Sequence, residues 1–426
     1  MLDLTRSLLP ELRARRLPGP AGAFAPAYDG LSIANLPAAV CAWLGAPPLP
    51  RAAPALDERI RAALPGPFRR VIVGVIDGLG LDLLQSALDS PDPDLQGWRD
   101  LAREGLLAPL TSIVPSTTAA ALVTLWTGAT PAAHGVLGYE MFLKEYSLTA
   151  NMILHAPAAY QGDVGSLARA GFDPRAFLPV PTLGPHLAGQ GVSVYAYQHA
   201  SIMQSGLSTM LFPSAVLRPA LTFGDICYQV AARIQAEPAE RAYHYFYWSA
   251  LVDLMHRYAP QDVRVRREMA GLALHLGVFL RSLPRDGQTL LLITADHGHI
   301  ATPPHADFDL SQHPELTACL TLLPSGENRL PLVFLRSGRE GDFPRYLETH
   351  WDGTFQSVSA REWIDAGWMG EPAHRHPRLE DRAGDRVVIP PPGAYWRWFE
   401  RPVLLLGRHG GLTETEMVPA LLGAVI

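Results

Sequence analysis

A chain of 426 residues can bury a large core, enough for one large α/β domain with an insertion or for two domains. Its net charge of −6 and the lack of any basic stripe argue against a nucleic-acid-binding surface, although a nucleotide substrate stays open. Cys41, Cys227 and Cys319 lie far apart without CxxC spacing, against both a disulfide framework and a thiolate metal site.

The first residues, Met1 to Arg6, show no cationic segment followed by an apolar one, and no run approaches the ~20 apolar residues of a membrane span. A soluble, cytoplasmic protein is expected. Residues 1–65, rich in Pro, Ala and Arg, read as an arm packing on the core. Within it Leu36 to Leu44 reads as a helix capped by Asn35 and ended by Pro47-Pro48-Leu49-Pro50. Residues 66–426 then form the main domain. Val71 to Ile76 is nearly all apolar and β-branched, the pattern of a strand buried on both faces in a parallel sheet. It runs into Asp77-Gly78-Leu79-Gly80. Leu110 to Val114 is expected as a short strand and Ala119 to Trp126 as a buried helix, with Ser116 or Thr117 placed to cap it. Pro131 to Gly138 reads as a loop.

Between about 139 and 222 the pattern loosens into a cap insertion with a short strand at Val192 to Tyr197. A helix from Gly224 to Ala236 leads to the aromatic strand Tyr243 to Trp248, which feeds Asp253 and His256. Val263 to Leu283 is an amphipathic helix, and the strand Leu290 to Ala295 delivers Asp296-His297-Gly298. A second irregular insertion fills about 300–400, with short strands at Leu332 to Leu335 and Val387 to Ile389. The run Val403 to Leu406 precedes His409-Gly410-Gly411, and a helix near Glu414 to Leu422 closes the chain.

Several apolar runs thus deliver Asp or His to what reads as one rim, the pattern of a metal site. Asp and His without Cys suit zinc or another borderline divalent ion. Asp296 and His297, side by side, serve one ion or split between two. The turn Ser116-Thr117-Thr118 sits at a helix N-terminus, where free N–H groups favour an anion such as phosphate. A threonine hydroxyl is a poor nucleophile until a base or metal lowers its pKa, and two metals about 4 Å apart can do so while stabilising a leaving oxygen. These features converge on metal-assisted phosphoryl transfer through a covalent threonyl intermediate.

The set Val75-Ile76-Asp77-Gly78, Pro115-Ser116-Thr117-Thr118, Thr127-Gly128, Pro131-Ala132-Ala133-His134-Gly135, Ala295-Asp296-His297-Gly298 and His409-Gly410-Gly411 with Glu416-Met417 resembles the alkaline phosphatase superfamily. More closely it is similar to the type I phosphodiesterase/nucleotide pyrophosphatase family. The resemblance implies a doubly wound, mostly parallel α/β sheet, two zinc ions and a threonine nucleophile. By position, one ion would be held by Asp77, Thr118, Asp296 and His297, and the other by an Asp-His pair and His409. Counting back from Thr127-Gly128 puts the nucleophile at Thr118, with Thr117 as the neighbouring choice. The implied reaction is hydrolysis of a phosphodiester or pyrophosphate bond in a small phosphorylated substrate, a nucleotide among the candidates.

Two positions depart from the family. The expected Asp-x-x-x-His is shortened here to Asp253 and His256, with Val252 standing where the Asp belongs. Ala121 replaces an asparagine that often helps to hold phosphate. Alternatives are a phosphomonoesterase or phosphonate hydrolase on the same core, or a degenerate member that binds a phosphorylated ligand without turnover. A sulfatase is disfavoured because there is no Cys-x-Pro-x-Arg. His134, His299, His305 and His313 read as satisfied or solvent-facing. Trp363, Trp368, Trp396 and Trp398 read as packing, with a base-binding slot as the alternative, and Tyr160, Phe172 and Tyr197 as candidate substrate contacts.

Overall fold

The computed structural model describes residues 1–103, 105–159, 163–399 and 404–426. Tyr160 and Val403 lie outside these residues. The main sheet contains, in chain order, β1 (Leu2–Asp3), β2 (Arg70–Ile76), β3 (Gly105–Pro109), β4 (Ser193–His199), β5 (Val216–Ala220), β6 (Ala242–Trp248), β7 (Thr289–Thr294) and β8 (Ala420–Val425). Their spatial order is β1-β3-β8-β7-β2-β6-β4-β5. All neighbours pair in parallel except β8, which runs antiparallel to both β3 and β7. Every residue of β2 and of β7 is buried, as expected for strands covered on both faces. The fold is therefore α/β with a mostly parallel sheet. No helix among the described residues is long and apolar enough to cross a membrane.

Two helices carry candidate site residues, α1 (Thr118–Thr127) and α2 (Ala250–Tyr258), and a third, α3 (Val263–Ser282), packs against α2. All ten residues of α1 are buried, and apart from three threonines its sequence is apolar on every face. α2 and α3 instead keep one polar face. The parallel strands β2, β6 and β7 sit side by side, so their carboxyl ends open on one edge of the sheet, where ligands of such folds bind.

The structure corrects several expected elements. The chain end is not a helix to Leu422: a capping box between Thr413 and Glu416 starts a helix that spans only Glu414–Met417. Pro419 then prevents its continuation, and the apolar run becomes β8. A short apolar run does not by itself distinguish strand from buried helix. The strand expected at Leu110 to Val114 lies earlier, at β3, and Thr111 keeps only an isolated bridge to Ser32. Pro131–His134 forms a short helix rather than a loop. Asn35 does not cap its helix; its amide donates instead to the Tyr28 and Pro54 carbonyls, and its oxygen accepts from Ser32 N–H.

The boundaries of the cap also change. Residues 193–220, placed in the insertion from sequence, supply β4 and β5 of the main sheet. The remaining insertion strands, Glu140–Leu143, Leu148–Asn151 and Ala156–Pro157, join those of the second insertion in one seven-stranded sheet. The link is the pairing of Gly326 with Glu140. Two insertions far apart in sequence therefore build one layer over the carboxyl edge, with its own apolar core around Val333, Phe343, Val388 and Trp396.

Candidate metal centre and active site

Asp77 follows β2 directly, and Gly78 turns the chain with φ of 75°. The positive φ favours glycine, and a side chain here would also press on Met255 of α2, its Cβ lying 2.6 Å from Met255 Cε, so that the methionine would have to shift. The Gly78 N–H donates to Asp296 Oδ1 at 3.2 Å, which ties the ends of β2 and β7 together. Asp77, Asp296 and His297 form a buried group whose donor atoms lie within 4.8 Å of one another. His297 Nε2 is 3.6 Å from Asp77 Oδ1 and 3.4 Å from Asp296 Oδ2.

Thr118 joins this group from the first turn of α1. Its hydroxyl donates to Asp77 Oδ2 at 3.3 Å and lies 3.2 Å from His297 Nε2. Thr117 points elsewhere, to Glu327 of the second insertion. Neither Thr117 nor Ser116 caps the helix as expected, because Ser116 donates to the Gly411 carbonyl. The first-turn N–H groups of α1 thus receive no capping side chain at the end that faces the centre.

Burial and the neighbouring Asp296 push the Asp77 carboxyl well above its ordinary range, against hydrogen bonds from Tyr247 and Thr118 that favour its ionised form. Asp77 Oδ1 and Asp296 Oδ2 are buried without a hydrogen-bond partner among the described residues. Two buried carboxylates facing each other with orphaned oxygens call for a cation. The histidines agree with this. His297 Nδ1 is committed to the Gly298 carbonyl, His256 Nδ1 to that of Gly407, and His409 Nδ1 to that of Ser116, at 3.0, 2.9 and 3.1 Å. A carbonyl only accepts, so each Nδ1 carries the proton and each Nε2 presents its lone pair, the tautomer and orientation of a metal ligand. The donor set fits a divalent ion such as zinc.

The second expected group is looser. His409 stacks on His297 with ring centroids 3.7 Å apart, and the His256 ring is 5.1 Å from that of His409. Asp253 lies on the exposed side of α2 and is bonded by Ser249, yet it lines the same cavity as His256 and His409. Val252 is buried and turned against Gly78. All seven residues expected at the site are therefore gathered at one edge of the sheet, with Asp77, Asp296, His297 and Thr118 closest together. Ala121 is buried in the interior of α1.

Some neighbours were not legible in the sequence. Tyr247, at the end of β6, donates to Asp77 Oδ2; the alternation Tyr243, Tyr245, Tyr247 signalled a shared face but not a partner. His299 is buried behind His256, its Nε2 3.3 Å from His256 Nδ1. Glu327 reaches Thr117 and the Tyr139 N–H from the far insertion, with no sequence signal at all. His134 is satisfied, as expected, by Thr124 and Val136. His313 is likewise bonded to Tyr346 and the Asp307 carbonyl. The aromatic candidates pack: Trp363 stacks on Trp368, Trp396 and Trp398 are buried in the second core, and Phe172 and Tyr197 are in the main core.

The His409 loop is held by a buried ion pair. Glu416 accepts from the Gly411 N–H at 2.9 Å and from Arg329 Nε and Nη2 at 3.0 and 2.9 Å. Glu416→Ala leaves Arg329 buried without its carboxylate and should cost about 3–5 kcal/mol. Urea unfolding checks this, and a loss below about 1 kcal/mol would mean that the pair does not anchor the loop.

Residues 71–397 match the type I phosphodiesterase/nucleotide pyrophosphatase family. No curated protein sequence matches the chain. Among solved structures, murine ectonucleotide pyrophosphatase/phosphodiesterase 5 is similar at 18% identity and a TM-score of 0.60, covering 83% of this chain and 87% of its own. An inactive threonine-to-alanine variant of that protein in complex with AMP aligns at 17% identity and a TM-score of 0.59, covering 83% and 87%. Phosphonoacetate hydrolase from Sinorhizobium meliloti 1021, in complex with phosphonoformate, aligns at 16% identity and a TM-score of 0.60, covering 88% of this chain and 90% of its own. The family match takes in Asp77, Thr118, Asp253, His256, Asp296 and His297. The chain belongs to the type I phosphodiesterase/nucleotide pyrophosphatase family, within the alkaline phosphatase superfamily.

Proposed function

We propose that the protein is a metal-dependent phosphohydrolase that cleaves a phosphodiester or pyrophosphate bond through a threonyl-phosphate or threonyl-nucleotide intermediate on Thr118. The observation that carries this reading is the placement of the Thr118 hydroxyl against Asp77 and His297, at the start of α1 and beside two orphaned carboxylate oxygens. The hydrogen bond to Asp77 Oδ2 fixes the Thr118 rotamer and leaves oxygen lone pairs for attack. The first-turn N–H groups of α1 suit the phosphoryl oxygens that Ala121 does not hold. Asp77, Asp296 and His297 would hold one ion with Thr118; Asp253, His256 and His409 would hold a second. When bound, the ions lower the hydroxyl pKa, polarise the phosphoryl group and offset charge on the leaving oxygen. Oγ1 of Thr118 gives up its proton to solvent and bonds to phosphorus as the P–O bond to the leaving group breaks, and water then cleaves the threonyl ester, releasing the phosphoryl product and restoring the Thr118 hydroxyl.

Metal analysis together with a panel of nitrophenyl diesters and monoesters tests this. Diester turnover that a chelator abolishes and zinc restores is the expected result. Full turnover in the metal-free protein would overturn it.

Asp253→Ala isolates the second ion. His256 and His409 alone hold an ion weakly, so the variant should lose one of two zinc ions and nearly all turnover. A second reading rests on Val252 and Ala121: a member that binds a phosphorylated ligand without turnover. Mass spectrometry showing a single ion in the wild type would favour that reading.

A further inference from the structure

The cavity in front of Thr118 has a volume of about 340 Å³. That is at the small end of the ~300–1,000 Å³ typical of small-molecule sites. Asp77, Asp253, His256 and His409 line its metal side, whereas much of the rest of its lining is apolar: Leu122, Ile153, Ile202, Leu207, Leu211 and Phe212. The polar side chains within that wall are occupied with one another. Gln198 donates to Ser208 Oγ at 2.8 Å, Ser205 to Ser208 at 2.9 Å, and Ser208 to the Ile202 carbonyl at 2.9 Å. They brace the wall and offer little to a ligand. Phe212 is engaged in an edge contact with Trp126 and a tilted contact with Tyr245, and Tyr247 is bound to Asp77.

Charge points the same way. Arg408 is the one Arg or Lys among the described residues lining the cavity. Its guanidinium lies over Tyr395 and donates to Thr302 Oγ1 and the Leu405 carbonyl. Away from the metal side a polyphosphate tail would meet no cationic side chain but Arg408 among the described lining residues, Glu327 is already taken by Thr117 and the Tyr139 N–H, and a nucleoside would leave most of its hydroxyls and base edges against aliphatic groups. A single phosphoryl group bearing an apolar arm satisfies both halves of the cavity.

We propose that the cavity takes the uncharged apolar arm of a phosphate or phosphonate ester, a short alkyl or single-ring aryl group, in preference to a nucleoside. The inference deepens the phosphohydrolase reading and rests on it for the seat of the phosphoryl group. Its test needs no turnover. Binding of methyl-, butyl- and phenylphosphonate and of thymidine 5′-monophosphate to the zinc-loaded full chain is measured by calorimetry. Affinity should rise by up to about fourfold per added methylene and be high for phenyl. Thymidine 5′-monophosphate should bind no tighter than methylphosphonate.

Ile153 and Ile202 are half-buried, and only the backbone carbonyl of Ile202 serves the Ser208 bond, so substitution of either side chain spares the brace. Ile153→Gln and Ile202→Gln should each shrink the butyl-to-methyl affinity ratio at least threefold. A flat series, undetectable butyl- and phenylphosphonate binding, a preference for the nucleotide, or an unchanged ratio in both variants would overturn the proposal. Failure of the parent reading looks different: the ligand order appears in binding, but no p-nitrophenyl alkyl phosphate is hydrolysed.

Discussion

Thr118→Ala should lower turnover by about three to six orders of magnitude while leaving metal content unchanged. The metal-facing groups Asp77, Asp296 and His297 stay in place without the hydroxyl, because β2 and β7 position them and the Gly78 N–H links their ends. Thr117→Ala removes a bond to Glu327 on the insertion side and should cost less than about tenfold, through a slight shift of the cap. Rapid-quench detection of a phosphorylated chain completes the test: label should appear on the wild type and not on Thr118→Ala. The opposite ranking of the two threonines would move the nucleophile one residue along the chain. It would also require α1 to begin its turn differently, since Thr118 is its first residue.

Much of this centre was legible because the sequence places its residues where buried strands end. Val71 to Ile76 and Leu290 to Thr294 carry the apolar pattern of strands covered on both faces, and their parallel pairing brings Asp77, Asp296 and His297 out at one edge. Thr118 was legible through its spacing from Gly128, which ends α1 in the left-handed conformation that glycine favours. What failed were features decided by partners far along the chain. Asn35 and Thr117 are good capping residue types, but tertiary acceptors and donors drew their side chains away from their own helices. The last strand was misread because Leu421 and Leu422 suit either period, and only Pro419 and the pairing with β3 and β7 decide between them. The cap eluded the sequence for a related reason. Its two halves meet in one sheet through the pairing of Gly326 with Glu140 and through side-chain bonds such as Lys144 to Asp381 and Trp398 to Glu140, which no local pattern announces.

Asp77→Asn should abolish turnover and yet make the metal-free protein more stable. In the wild type the Asp77 carboxyl is pushed well up, first by burial and then by Asp296. A carboxyl raised in the folded state destabilises that state once the unfolded chain would ionise, so the penalty starts near pH ~3.9 and grows toward the raised folded value. Asparagine has no such penalty, and its amide oxygen still accepts from Tyr247. In chelator at pH 7 the variant should therefore melt at or above the wild type, and the gap should close as the pH is lowered to about 4. Zinc should reverse the order. A cation that binds only the folded protein stabilises it by mass action, by ~2.7 kcal/mol at a hundredfold excess over its Kd. The variant lacks the charge to hold the ion and should gain much less. Asp296→Asn should show the same loss of turnover and of the zinc response, because its Oδ2 is the second orphaned oxygen of the pair. The decisive measurement is the sign of the difference in melting temperature with and without zinc. If Asp77→Asn is less stable than the wild type in chelator and responds equally to zinc, Asp77 is a structural carboxylate, and the cation must be sought away from β2.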